Sequence, residues 1–238
     1  MPHLKLNRIT NDISDLIKLL QKYSFDNFLD VYHLQDLVGK QNISIREHKI
    51  DGLTLRVSSS GQTPYPKVSK LAISIKAEYT FKDKLTEDTD IFENYSFEMF
   101  IKGYPNPNDA DTDEHQFFCW HLDKEIKTDG KFIHPLYHIH AGGKRLEGIV
   151  NNENPLVFIS SPRIPHPPMD IILIIHFIIQ NFVNKSEVET KSKLLKDENY
   201  INIIARAEKR VLSPYFRSLN GERHNDYNPE NLFPLYTV

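Results

Sequence analysis

The stretch KLAISIKAEYTF, residues 70–81, decides the fold, because apolar and polar side chains alternate along its whole length. Successive side chains of a strand point to opposite faces, so this pattern predicts a strand with one buried face. Asp51–Gly52 upstream is a dipeptide favoured in two-residue hairpin turns. An antiparallel sheet is therefore predicted between residues 41 and 160. Three further segments share the period of two: 42–50 (NISIREHKI), 52–60 (GLTLRVSSS) and 95–101 (YSFEMFI).

Two amphipathic helices are predicted before the sheet, forming a helical hairpin within residues 1–40. The first begins at an N-cap, Thr10 or Asn11, and ends near Tyr23, because apolar residues between them recur at helical spacing. The second spans residues 27–38 and is stopped by the glycine that follows it.

Helices are also predicted after the sheet, within residues 168–218. Residues 169–183 (MDIILIIHFIIQNFV) are almost entirely apolar and predict a buried helix that Asp170 or its neighbours begin. A charged helical stretch follows from residue 186 to 211, with a break near 196–199 and an end at Pro214.

These elements predict a single α+β domain over residues 1–238. Its centre is a twisted antiparallel sheet, on which the N-terminal helical hairpin and the C-terminal helices pack. The tail, residues 219–238, is rich in turn formers but finishes apolar. It is predicted to wrap back onto the domain or to contact a protein partner.

Composition and charge describe an ordinary globular chain of 238 residues with a net charge of −3. A net charge of this sign and size does not attract the protein to nucleic acid or to an anionic membrane. The single cysteine excludes an intramolecular disulfide, and the N-terminus has no apolar leader, so we expect a cytoplasmic protein. The apolar run at 169–183 is shorter than the about 20 residues that span a bilayer, so no membrane span is expected.

Histidines are concentrated between residues 115 and 140, in two segments that alternate like strands: HQFFCWHLDKE (115–125) and HPLYHIH (134–140). Asp129–Gly130 between them predicts a two-residue hairpin turn. A regular hairpin around that turn places His121 opposite His138, Cys119 opposite His140, and Asp123 opposite Leu136. These polar residues are then expected on one face of the sheet, with Trp120 and Leu122 on the apolar face.

This polar face predicts acid–base chemistry on a phosphate-containing substrate, either RNA or a nucleotide. His138 and His140 are the expected acid–base pair, with His121 and Asp123 as orienting residues and Arg163 as the cation that stabilises developing charge. No cofactor is required by this hypothesis. Five residues are expected to contact the substrate anion through cations, exposed amides or an imidazole: Gly142, Gly143, Lys144, Arg145 and His166.

Two alternatives use the same residues. A metal-dependent hydrolase would bind a transition metal through His121, Asp123, His138 and His140, although their spacing matches no established zinc motif. A non-catalytic assembly module would keep the histidines as structural hydrogen-bonding groups and contact its partner through the C-terminal tail. His176 on the apolar helix is interpreted as a core histidine, and Cys119 as a packed thiol.

The motifs WHLD (120–123), HPLYHIHAGG (134–143) and SPRIPHPPMD (161–170) resemble a family of uncharacterised prokaryotic proteins. More distantly, the chain resembles the toxin half of TumE-type toxin–antitoxin pairs over about a quarter of its length. The residues that match are Asp123, His134, Pro135, His138 and His140. The resemblance implies an intracellular conflict role, as a toxin or a defence component.

Overall fold

The α+β architecture is confirmed by a computed structural model, in which six strands form one antiparallel sheet in the order β1-β2-β3-β4-β5-β6. The structure describes residues 6–40, 46–59, 67–85, 89–104, 116–125, 135–142, 164–183, 188–217, 227 and 229–232. The strands are β1 (Glu47–Ser58), β2 (Lys70–Phe81), β3 (Phe92–Tyr104), β4 (Gln116–Lys124), β5 (Tyr137–Ala141) and β6 (Ile164–Pro165). The helices are α1 (Leu6–Lys22), α2 (Tyr32–Lys40), α3 (Ile171–Phe182), α4 (Val188–Lys196), α5 (Glu198–Arg217) and α6 (Pro229–Leu232).

The alternation in β1, β2 and β3 separates a buried face from a polar one, as the sequence predicts. In β2, for example, Ile73, Ile75 and Tyr79 are buried, whereas Lys76 and Glu78 lie on the opposite face. The buried residues form one hydrophobic core with helices α1, α3 and α5. The helices therefore cover one face of the sheet.

Helix α3 lies between the sheet and α5, which explains why it is apolar nearly all round. Its N-terminus contacts the sheet, since Ile171 donates its backbone N–H to the Tyr79 hydroxyl over 3.0 Å. Its other side contacts α5, where His176 Nδ1 and the Tyr200 hydroxyl are 2.9 Å apart. Asp170 caps the helix by accepting a hydrogen bond from the Leu173 N–H. The prediction for Asp170 is confirmed, and the one for His176 is confirmed in part, since its imidazole has a partner but is only partly buried.

A buried charged cluster joins α1, α3 and α5 and had no signal in the sequence. Arg210 Nη2 on α5 lies 2.5 Å from Asp170 Oδ2, and its Nη1 lies 3.6 Å from Asp12 Oδ2 on α1. Arg206, one turn earlier, contacts Asp12 Oδ1 through Nε and Nη2. Asp12, Asp170 and Arg210 are all buried. Since buried charges require partners, this cluster specifies how the three helices meet.

Both N-terminal helices have boundaries that differ from the prediction. Helix α1 begins at Leu6, so the expected N-cap at Thr10 or Asn11 is wrong, and these residues lie inside it. The predicted helix at 27–38 is replaced by a 3₁₀ turn at Phe25–Asn27 and by α2. The reason is pairing with β1: the Asp30 N–H donates to the Thr54 carbonyl, and the Arg56 N–H donates to the Phe28 carbonyl. This pairing makes Leu29 an isolated β-bridge partner of Leu55 and separates the 3₁₀ turn from α2.

The predicted hairpin turn at Asp51–Gly52 is also wrong, because β1 continues through it. Asp51 pairs with Lys76 and Leu53 pairs with Ile75, so Gly52 is the extra residue of a β-bulge. Its φ of +91° is in the region that glycine adopts at little cost. The described parts of the two predicted strands therefore do not pair with each other, since residues 47–58 pair as one strand with β2.

We expect Gly52→Ala to lower the free energy of unfolding by about 1–2 kcal/mol, because an alanine Cβ opposes the positive φ. That Cβ would also lie 3.4 Å from His33 Nε2. Gly39→Ala is the matched control, since Gly39 lies inside α2 and an alanine methyl group there would have no heavy-atom neighbour within 4 Å in the described part of the chain. Gly39→Ala should raise the free energy of unfolding by about 0.5–1 kcal/mol. Urea denaturation measures both, and equal effects of the two substitutions would contradict the bulge.

The C-terminal helices follow the prediction in part. The expected break is confirmed, because α4 ends at Lys196 and α5 begins at Glu198. Pro214, expected to end the helix, lies inside α5, which continues to Arg217. Beyond it, buried Tyr215 packs edge-on against Tyr227 with the ring centroids 5.7 Å apart. Packing of the last helical turn thus outweighs the backbone hydrogen bond that proline cannot make.

The described part of the C-terminal tail packs on the domain. Tyr227 and Leu232 are buried, and the Tyr227 hydroxyl donates to Asp90 over 3.2 Å. The Asn231 carbonyl accepts the backbone N–H of Leu136 over 2.7 Å, which connects α6 to the start of β5. This agrees with the prediction that the tail wraps back.

None of the helices in the described ranges is both long and apolar enough to cross a membrane. Helix α3, the most apolar, has 12 residues.

Candidate functional site

The polar face of β4 and β5 brings His121, Asp123, His138 and His140 together, on the side of the sheet opposite the core helices. His121 pairs with His140, and Asp123 pairs with His138. On its other side β4 pairs with β3, so that Glu98 lies opposite His121. Opposed residues on one face have Cβ atoms about 4.5–5.5 Å apart, which places these side chains in contact.

The predicted register of this hairpin is wrong by two residues. The sequence pattern placed His121 opposite His138, Cys119 opposite His140, and Asp123 opposite Leu136, whereas the sheet pairs His121 with His140. A shift of two residues keeps every side chain on its own face, so burial does not discriminate between the two registers. The turn at Asp129–Gly130, on which the prediction depended, lies outside the described residues.

His140 is oriented by a short chain of hydrogen bonds. Its Nε2 lies 3.4 Å from Asp123 Oδ2, and Asp123 Oδ1 accepts a hydrogen bond of 2.8 Å from the Ser96 hydroxyl. Burial raises the pKa of the Asp123 carboxyl, but the hydrogen bonds from His140 and Ser96 outweigh burial and hold its pKa below the ordinary value. An ionised Asp123 favours the tautomer of His140 that carries its proton on Nε2, which leaves Nδ1 as the proton acceptor.

His121 lies flat against His140, with the ring centroids 4.9 Å apart and the planes 12° from parallel. Its Nε2 lies 3.0 Å from the Gly142 carbonyl oxygen, which can only accept, so Nε2 is the donor in this contact. Gly142 has a φ of +80° and donates its own N–H to the Cys119 carbonyl over 2.8 Å. The Gly142 amide that we expected to meet an anion therefore has a backbone partner.

His138 is more enclosed than His121 and His140, whereas His166 is partly buried as they are. His138 is only 4% exposed, and its Nδ1 donates to the Pro135 carbonyl over 3.0 Å. His166 Nδ1 donates to the Pro167 carbonyl over 2.7 Å. Burial lowers the pKa of His166, despite that hydrogen bond. His138 nevertheless stays next to the exposed pair, with its ring 5.7 Å from that of His140.

Four residues of the predicted site lie outside the described residues: Gly143, Lys144, Arg145 and Arg163. Within the described ranges, a shallow depression of about 400 Å³ lies on the polar face beside Ser96. Two lysines line it, Lys76 and Lys124, and each is paired with a carboxylate. Lys124 Nζ lies 2.8 Å from Asp90 Oδ2 in the core.

Sequence reasoning missed Glu98 as a site residue and interpreted Cys119 as packing alone. In the described part of the chain, one group of three metal-ligating side chains has all its ligand atoms within 4.8 Å of one another: Glu98, Cys119 and His121. Only His121 belongs to the metal set expected from the sequence. A signal for Glu98 was available, because alternation along residues 95–101 places it on the polar face of its strand.

Comparison with protein-family models, with curated proteins and with solved structures finds no significant match to this chain.

Proposed function

We propose that the protein is an enzyme that uses His140 for proton transfer in the cleavage or transfer of a phosphate group of RNA or a nucleotide. The observation that supports the proposal best is the Ser96–Asp123–His140 chain of hydrogen bonds on an open sheet face. A carboxylate behind a partly exposed imidazole is the arrangement that orients a general base and stabilises its protonated form. The His140 side chain is 25% exposed and so can meet a substrate.

In the proposed reaction, His140 Nδ1 accepts the proton of the attacking hydroxyl. His121, stacked on His140, is the second proton-transfer residue; in its doubly protonated form it keeps Nε2–H on the Gly142 carbonyl and supplies the Nδ1 proton to the leaving oxygen. His138 changes from the predicted acid–base partner to a buried residue that supports the His140 ring. Arg163 keeps its proposed role of stabilising negative charge, with Lys144 and Arg145 as substrate-binding cations. The resemblance of residues 120–123 and 134–143 extends the proposal to a toxin or defence role in the cytoplasm.

The proposal is tested by incubating the full-length protein with RNA and with nucleoside phosphates and comparing the wild type with Asp123→Asn. We expect the substitution to lower kcat about tenfold, because the amide no longer favours the reactive tautomer of His140. The effect is moderate because the contact is 3.4 Å long and Asp123 is 35% exposed.

Glu78→Gln is the matched control, since Glu78 on β2 lies on the same sheet face. It is opposite Ser96 in register, but its carboxylate forms an ion pair with Lys49 on β1, the neighbour of β2 that lies away from β4. It should leave kcat unchanged. The proposal is refuted if the wild type converts no phosphate substrate, or if Asp123→Asn and Glu78→Gln behave alike.

The non-catalytic assembly module stays as a second candidate, because His138 and His166 each donate from Nδ1 to a backbone carbonyl. Such contacts are typical of structural histidines. Under this candidate the described tail residues Tyr227 and Leu232 are not the contact surface, since they are buried on the domain itself. A wild type without activity on any phosphate substrate would favour this candidate.

A further inference from the structure

Three side chains of different metal-ligating chemistry converge on the polar sheet face between β3 and β4. Cys119 and His121 are two residues apart on β4, and Glu98 lies opposite His121 on β3. Cys119 Sγ lies 3.4 Å from His121 Nε2 and 3.9 Å from Glu98 Oε1. We propose that Glu98, Cys119 and His121 bind one Zn²⁺ ion.

Two of the three distances between the ligand atoms are close to those around a tetrahedral ion, and the third, between Glu98 and His121, is within 4.8 Å. Zn–S bonds of about 2.3 Å and Zn–N or Zn–O bonds of about 2.0–2.2 Å place neighbouring ligand atoms roughly 3.5 Å apart at tetrahedral angles. The separations of Cys119 Sγ from the other two ligand atoms differ from this value by a few tenths of an ångström. Small side-chain rotations are therefore enough to close the site, and the paired strands hold the backbone.

The donor set selects the class of metal. A thiolate and an imidazole favour zinc or a similar transition metal, whereas calcium and magnesium require oxygen ligands almost exclusively. Glu98 and His121 are partly exposed, so an ion can enter from the solvent side. Cys119 is buried, so the thiolate side of the site is shielded from water. Three protein ligands leave the fourth coordination position for water or a substrate oxygen, as in catalytic zinc sites.

Binding releases one proton for each metal ion. The Cys119 thiol loses its proton to solvent and becomes a thiolate, and Glu98 binds as an ionised carboxylate. The single proton of neutral His121 moves from Nε2 to Nδ1, so that the Nε2 lone pair faces the metal. The contact from Nε2 to the Gly142 carbonyl is then given up.

The zinc site does not depend on the proposed acid–base function and goes beyond it. With zinc bound, His121 is a ligand rather than a proton-transfer residue, and His140, oriented by Asp123, is left as the proton-transfer residue. Asp123 is not one of the three ligands, so its substitution tests the acid–base function without removing a metal ligand. The metal-dependent hydrolase that the sequence suggested has a different ligand set, of which the proposed zinc site shares only His121.

The experiment uses the full-length protein, freed of metal by a chelator and kept reduced, and titrates it with Co²⁺ and then Zn²⁺. Cobalt bound to a thiolate gives a near-ultraviolet charge-transfer band, and Cys119 is the sole cysteine, so the band reports this site alone. We expect one Co²⁺ per chain, displaced by one Zn²⁺.

Variants identify the three ligands. Cys119→Ser should abolish the charge-transfer band, and Glu98→Gln and His121→Asn should each weaken Zn²⁺ binding by at least about tenfold. Glu78→Gln, a glutamate on the same face outside the group, should bind Zn²⁺ like the wild type. Circular dichroism checks that each variant is folded. The proposal is overturned if the wild type gives no band at stoichiometric Co²⁺, or if Zn²⁺ binding is the same in the wild type, Glu98→Gln and His121→Asn.

Discussion

Arg210→Met is expected to lower the free energy of unfolding by about 3–5 kcal/mol, because it removes the cation from a buried ion pair and leaves the carboxylate in place. Asp170 is completely buried, and Arg210 Nη2 and Nε are its side-chain ion-pair donors, at 2.5 and 3.2 Å. Asp12 on α1 loses a second contact in the same substitution. Methionine retains most of the apolar volume of arginine. The loss of stability therefore measures the removal of the positive charge.

Arg206→Met is the matched control for Arg210. Arg206 donates two hydrogen bonds to the same Asp12, but its side chain is 32% exposed and Asp12 keeps the charge of Arg210 at 3.6 Å. We expect Arg206→Met to lower the free energy of unfolding by about 1–2 kcal/mol. Urea denaturation followed by the fluorescence of Trp120, the only tryptophan, measures both variants. If Arg210→Met does not fold, Arg210→Lys is measured in its place. Equal losses at positions 206 and 210 would show that the buried pair does not stabilise the fold.

His140→Gln is expected to lower kcat for the proposed phosphate substrate by about 10²–10⁴-fold, the usual contribution of a general acid–base residue. Glutamine can still donate a hydrogen bond to Asp123 and fills a similar volume. It cannot accept and return a proton at neutral pH. The substitution therefore separates proton transfer from the hydrogen bond to Asp123, although the ring contact with His121 is lost as well.

His176→Gln is the control for His140. His176 is also partly buried, and its Nδ1 contacts the Tyr200 hydroxyl on the other side of the sheet. Its substitution should leave kcat unchanged. Kinetics under saturating substrate, with urea denaturation of each variant to exclude unfolding, measure the difference. A His140→Gln enzyme that keeps full kcat removes His140 from the reaction and leaves the assembly module as the better candidate.

The sheet and the faces of its strands were predictable because they depend on local periodicity. The alternation of residues 70–81 appears in the structure as buried Ile73 and Ile75 against partly exposed Ser74 and Lys76. The same rule placed His121, Asp123 and His140 on one polar face before their contacts were known. Asp170 as a helix cap was predictable for a similar reason, since capping depends on neighbours in the chain.

The pairing of residues was not predictable from local patterns. Asp51–Gly52 favours a turn in isolation, but the continuous partner strand β2 makes it a bulge. The two-residue error at His121 arose because side-chain direction repeats every two residues, so both registers bury the same face. Arg210, Asp12 and Asp170 are far apart in sequence, and no local rule connects a buried arginine with its carboxylates.

The sequence by itself determined which side of each strand is polar and that a histidine-rich surface faces away from the core. The tertiary structure decided which of those residues touch: Asp123 with His140, His121 with His140, and Glu98 with Cys119 and His121. The physical reason is that the alternation of a strand depends on backbone geometry within one segment. The choice of neighbour across strands depends on packing and hydrogen bonding over the whole sheet.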